Sequence, residues 1–122
     1  MGEEVCCEYL ESLGFTIKEK NFHTRHGEID IIAENDRYIV FAEVQLRAIG
    51  DNLIKYGRPA IAVTKNKMKN IIYSAKVYLG RAPICKSVRF DVLEVYCEEL
   101  PNGNTRYKVK HLPAAFTLDN VR

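Results

Sequence analysis

No apolar run in these 122 residues approaches the roughly 20 needed to cross a bilayer, so no membrane span is expected. The opening residues, "MGEEVCCEYL", are acidic and hold no basic leader followed by an apolar core. No secretory signal is therefore expected, and a cytoplasmic location is. An excess of one charge is missing too: 18 Lys and Arg face 16 Asp and Glu, a net +2. Bulk charge does not mark a nucleic-acid binder, so any polyanion site must come from local clustering. Four cysteines (Cys6, Cys7, Cys85, Cys97) show no C-x-x-C spacing, and two are adjacent. That suits neither a disulfide framework nor a metal cage, so small buried hydrophobes kept reduced are expected. Three histidines, none at ligand spacing with Cys, argue against a zinc site. The glycine-rich phosphate and dinucleotide loops and the G-x-S-x-G elbow are absent, which leaves nucleotide hydrolysis, dinucleotide binding and serine hydrolysis without support. Repeats, low-complexity tracts and linkers are also missing, and one domain over residues 1–122 is expected.

What is present follows the two periodicities of regular structure. Val5, Cys6, Tyr9, Leu10 and Leu13 recur at helical spacing over residues 3–13, and Gly14 supplies a stop. Residues 15–22 alternate as a strand. "HGEIDII" and "YIVFAEVQL" are rich in Ile and Val and flank "ENDR", which predicts a hairpin. Residues 48–62, with Gly50, Gly57 and Pro59, read as an irregular excursion in which Tyr56, Gly57 and Arg58 are weak candidates to reach a substrate. Thr64 is the expected N-cap of a helix with Met68, Ile71, Ile72, Ala75, Tyr78 and Leu79 on one stripe, ending at Gly80. "VRFDVLEVYC", the turn "PNGN" and "RYKVKHL" complete the order α-β-β-β-α-β-β, a mixed sheet with helices packed on it. Arg89 and Asp91, two apart on their strand, are expected to form an internal ion pair.

The hairpin carries three acids, Glu28, Asp30 and Glu43. A two-residue turn at Asn35 and Asp36 would pair Glu34 with Arg37, Asp30 with Phe41 and Glu28 with Glu43. All three acids then share one face, direct neighbours about 5 Å apart and diagonal ones about 7–8 Å. Like charges 4 Å apart repel by roughly 4 kcal/mol at an effective dielectric of 20, so a proton, a cation or a basic neighbour should offset the cost. Hard carboxylate oxygens suit Mg²⁺ or Mn²⁺. The alternative is a solvent-facing side where acids keep an edge soluble, although Ile39 and Phe41 on the same face argue for partial burial.

Asp30, twelve intervening residues, then Glu43-Val44-Gln45 resembles the D…(D/E)-x-K signature of restriction-endonuclease-like nucleases. The blocks "GEEVCCEYLESLGF", "GEIDIIA", "IVFAEVQLR", "AVTKNKMKNI", "VRFDVLEV" and "HLPAAF" resemble, in order and over essentially the whole chain, the YraN-like bacterial family, itself similar to archaeal Holliday-junction resolvases. The resemblance implies a restriction-endonuclease-like α/β fold, a central mixed sheet flanked by helices. It implies a Mg²⁺- or Mn²⁺-dependent endonuclease acting on DNA, with branched or structured DNA as a candidate substrate and a homodimer by analogy. Asp30 and Glu43 would hold the metal, Glu3 would be an auxiliary ligand, and Glu28 would support them from behind. Lys65, Lys67, Lys69 and Arg47 would contact nucleic acid, the lysines lying near a helix start that can grip phosphate.

Gln45 stands where the resembling family has its catalytic Lys. Glutamine can hydrogen-bond a water but carries no charge and is no base, and losing a positioned acid–base group costs about 10²–10⁴ in rate. Three readings stay open: Gln45 suffices, a cation such as Arg47, Lys65 or Lys67 replaces the Lys, or cleavage is lost and a nucleic-acid-binding module remains. A scaffold with no nucleic-acid role is a fourth, which salt-insensitive or absent DNA binding would favour.

Overall fold

Helix α1 (Gly2–Ser12) buries Cys6 and Leu10, one turn apart, against the sheet. It ends where Gly14 takes φ +94, a left-handed conformation that a side chain disfavours. The computed structural model describes residues 2–48, 63–81 and 85–117. After α1 come β1 (Thr16–Thr24), β2 (Gly27–Glu34) and β3 (Tyr38–Ala48), then α2 (Lys65–Leu79), β4 (Ser87–Glu99) and β5 (Thr105–Phe116). This is the α-β-β-β-α-β-β order expected from periodicity. The expected excursion lies almost wholly outside the described residues, and so do Tyr56, Gly57 and Arg58.

Among the described residues five strands lie in chain order, antiparallel except for the central β3–β4 pair, which is parallel. Two parallel strands need a crossover, and the connection that carries α2 supplies it. Side chains alternate between sheet faces, and each face has its own core. Ile32, Ile39, Phe41, Phe90 and Val92 pack against Ile71, Ile72 and Ala75 of α2. Ile31, Ala33, Val40, Ala42, Leu93 and Val95 pack against Cys6 and Leu10 of α1. Each fully buried aliphatic side chain contributes about 1.5–3 kcal/mol. The described residues thus form an α/β fold with a restriction-endonuclease-like arrangement, the mixed sheet held between α1 and α2. Among the described residues no helix is long and apolar enough to cross a membrane.

Thr64 caps α2 as expected: its side chain accepts from the Lys67 backbone N–H at 3.1 Å. The "PNGN" turn closes through the Gly103 and Asn104 N–H groups, with Gly103 at φ +87. All four cysteines are free. Cys6 is buried as expected, but Cys85 is exposed because it lies in the α2–β4 connection, outside either core.

The expected Arg89–Asp91 pair forms and is part of a larger cluster on the α1 face. Arg89 donates from Nε and Nη2 to Asp91 Oδ1 and Oδ2 at 2.9 and 2.8 Å. His111 Nε2 lies 2.6 Å from Oδ2, its Nδ1 lies 3.0 Å from the Tyr9 hydroxyl, and the Ala114 N–H donates to Oδ1 at 3.0 Å. Burial works to raise the Asp91 carboxyl, but His111, Arg89 and the Ala114 N–H outweigh it and hold it low. Ala114, at φ +50, sits in the irregular stretch where β5 slips against β4 between Phe90 and Val92. One buried carboxylate therefore ties β4, the bent end of β5 and α1 together.

Candidate functional site

The β2–β3 turn differs from expectation by two residues. Asn35 Oδ1 accepts from the Arg37 and Tyr38 N–H groups at 2.9 and 2.8 Å, and the Asn35 N–H donates to the Tyr38 carbonyl at 3.0 Å. The side chain of Asn35 thus makes it a flank of the turn rather than its tip. Glu34 pairs with Ile39 instead of Arg37, and Ile32 instead of Asp30 faces Phe41. An even shift keeps every side chain on its face, so the acids stay together while their partners change. Continued by one pair, the register brings Asp30 level with Glu43. Glu28 is not opposite Glu43. It is exposed and pairs with His23 of β1, with His23 Nδ1 3.3 Å from Glu28 Oε2.

The ladder between β2 and β3 runs from Glu34/Ile39 to Ile31/Ala42. Beyond it, Asp30 Oδ2 accepts the Val44 N–H at 2.8 Å, a side chain in the role of a strand carbonyl. Alternation breaks at the same point, for Ile31 and Ala33 join the α1-side core while Ile29 joins the α2-side core. The hairpin opens here, and the start of α2 lies over the opening. Gly27 permits the approach, because a Cβ there would stand 3.2 Å from Asn70 Cβ.

The resulting cleft, about 390 Å³, is lined by Glu28, Asp30, Glu43, Thr64, Asn66, Lys67 and Asn70 among others. Glu43 is 4% exposed, and Lys67 Nζ forms an ion pair with its Oε2. The Glu43 carboxylate holds Lys67 above its usual range, against the pull of partial burial. Burial pushes the Asp30 carboxyl up to about 7, helped by the charge and hydrogen-bonding reach of Glu43 and least by Glu3, against the Val44 N–H. Two of the three compensators expected from like-charge repulsion are thus at hand, a basic neighbour on Glu43 and a proton favoured on Asp30.

Gln45 follows Glu43 on the same face, but its Oε1 accepts from Arg47 Nη2 at 2.9 Å. Arg47 Nε stands 3.6 Å from Oε2 of Glu94, a fully buried carboxylate whose Oε1 accepts the Tyr96 hydroxyl at 2.8 Å. Arg47 therefore neutralises a buried acid and orients Gln45. Lys65 and Lys69, four apart on α2, are exposed and share a side of the helix that Lys67 does not. Glu3 is half-buried on α1, the helix of the opposite face, and reaches Asp30 only as a distant charge. Among the described residues no three of His, Cys, Asp and Glu come together as a ready metal cage. Asp30 and Glu43 alone nevertheless fit a small hard cation, since Mg²⁺ is commonly held by one or two carboxylates and several waters. A buried acid pair that calls for a proton or cation is the donor set such an ion requires.

Sequence reasoning missed Asn66 and Asn70 as cleft-lining groups. Their signal was present, two amides four apart on the helix that bears Lys67.

The sequence profile of "Uncharacterised protein family UPF0102" matches residues 2–95. A "UPF0102 protein" of Syntrophomonas wolfei subsp. wolfei is 37% identical over 116 residues, spanning 94% of this chain and 93% of that one. Another, from Clostridium botulinum (strain Kyoto / Type A2), is 38% identical over 119 residues, 96% and 91% of the two chains. One from Caldanaerobacter subterraneus subsp. tengcongensis is 38% identical over 117 residues, 95% and 91%.

Proposed function

The chain belongs to the UPF0102 (YraN) family, and from that premise we propose that it is a Mg²⁺- or Mn²⁺-dependent endonuclease of DNA in which Lys67 stands in for the missing catalytic Lys at position 45. Asp30 and Glu43 would hold the cation. When bound, it supplies an activated water and stabilises charge on the phosphate under attack. The observation that carries the reading is the Lys67 ammonium on Glu43 Oε2, inside the cleft that also holds Asp30. An ammonium there can orient a water or a phosphate oxygen beside the acid pair, a task that Gln45, bonded to Arg47, would leave to it. Thr64 supports the arrangement by fixing the first turn of α2 through the Lys67 N–H.

The test is cleavage of labelled junction, flap, single-stranded and duplex DNA in Mg²⁺ and in Mn²⁺. Wild type should cut at least one of them. Asp30→Asn and Lys67→Ala should each lose about 10²-fold or more, whereas Gln45→Ala should lose little. If Lys67→Ala cuts as fast as wild type, the assignment of Lys67 is wrong. Salt-dependent DNA binding with no cleavage in either metal would replace the enzyme by a nucleic-acid-binding module.

A further inference from the structure

The face of the sheet that carries Glu43 continues across β4 to β5. By the parallel β3–β4 and antiparallel β4–β5 registers, Glu43, Val92 and Leu112 form one cross-strand row. Gln45, Glu94 and Lys110 form the next, then Arg47, Tyr96 and Lys108, with Glu98 and Arg106 beyond. Tyr107 and Val109 alternate with these basic residues and pack on the α1-side core, so Arg106, Lys108 and Lys110 all project from the Glu43 side, and all three are exposed.

We infer that Lys108 and Lys110 form a second contact for the phosphate backbone of nucleic acid, outside the cleft and without a catalytic part. The inference rests on the nucleic-acid reading above. The acids of this face cancel only Arg106. Glu94 is fully buried beside Arg47 and Tyr96, and Glu98 is taken by Arg106. Among the described residues Lys108 and Lys110 have no ion-pair partner, so two positive charges stay in solvent. Alternate residues of a strand repeat every ~7 Å, comparable with the separation of successive phosphates along one nucleic-acid strand. Lys110 stands two strands and one row from Glu43, roughly 12 Å by strand spacing and rise. A backbone seated in the cleft would meet the row within a few nucleotides. A straight, evenly spaced cationic row continuous with a phosphodiester site fits a polyanion of regular charge better than an irregular acidic protein surface.

The experiment measures binding of the full chain to labelled duplex and junction DNA in EDTA, with KCl varied from about 50 to 200 mM. Three double variants accompany wild type: Lys108→Gln with Lys110→Gln, Lys108→Arg with Lys110→Arg, and Lys18→Gln with Lys76→Gln. The last removes the same charge from exposed sites elsewhere. The slope of log K against log salt should become shallower by about 1.4–1.8 in the Gln pair on β5, at ~0.7–0.9 per phosphate contact. The Arg pair should restore it, and the Lys18/Lys76 pair should leave it unchanged. Equal slopes for wild type and the β5 Gln pair would overturn the inference and leave the nucleic-acid reading standing. Equal loss in both Gln pairs would also overturn it, since general charge would then explain the effect. Absence of salt-dependent binding by wild type would remove both.

Discussion

At the scale of the residue, two aspartates in one domain are driven in opposite directions. The Asp30 carboxyl rises from 3.8 to about 7 because burial and Glu43 favour its protonated form. In metal-free protein this site binds a proton in the folded state that the unfolded chain releases between those two values. Its stabilising effect is therefore full below pH 3.8 and is lost as pH rises to about 7. Asp30→Asn should flatten the fall in stability across that window, as read from urea midpoints at a series of pH values in EDTA. Asp91, held low by His111, Arg89 and the Ala114 N–H despite its burial, has the other sign. Its contribution is present above the ordinary carboxylate range and is lost on acidification. Lys67 couples the proposed chemistry to stability. Its side chain is half exposed, but its partner Glu43 is buried, and a buried carboxylate left without its cation is destabilising. Lys67→Ala should therefore lower the urea midpoint as well as removing most of the cleavage.

The elements follow from local rules wherever local rules decide. Thr64 and Gly80 bound α2, Gly14 ends α1, and alternation marks the strands, all readable from residue type and spacing. The register of β2 on β3 did not follow, because it is decided by whether the Asn35 side chain stands inside the turn or closes it, and either geometry satisfies the same sequence. Lys67 was legible only as one of three lysines. Choosing among them requires setting the helix on the sheet: Lys67 lies one turn before the buried Ile71, while Lys65 and Lys69 lie together on another side. The carboxylate pair itself was legible from strand periodicity, but the N–H that binds Asp30 was not, since it depends on the ladder ending at Ile31. The helix cap now carries a prediction of its own. Thr64→Ala should cost about 1 kcal/mol and also slow cleavage, because the first turn it fixes is the one that bears Lys67. Thermal unfolding and the cleavage rate measure the two effects separately.

For the molecule as a whole, the two faces of the sheet divide the work. The α2 face carries the cleft and the basic row of β5, and the α1 face carries the Asp91 cluster that holds α1, β4 and β5 together. Arg89→Ala should destabilise the domain by about 3–5 kcal/mol, since it strips a buried carboxylate of its bidentate partner. Urea unfolding measures the loss, while DNA affinity should hold under conditions where the variant stays folded. The bond from the Val44 N–H to Asp30 has a consequence for tracing this kind of chain through its lineage. An acid, or its amide, at position 30 closes a gap in the backbone bonding of the sheet whether or not any phosphodiester is cut. A descendant that abandoned cleavage would still be selected to keep Asp or Asn there, for folding alone. Persistence of the acidic hairpin is accordingly a poor witness to activity.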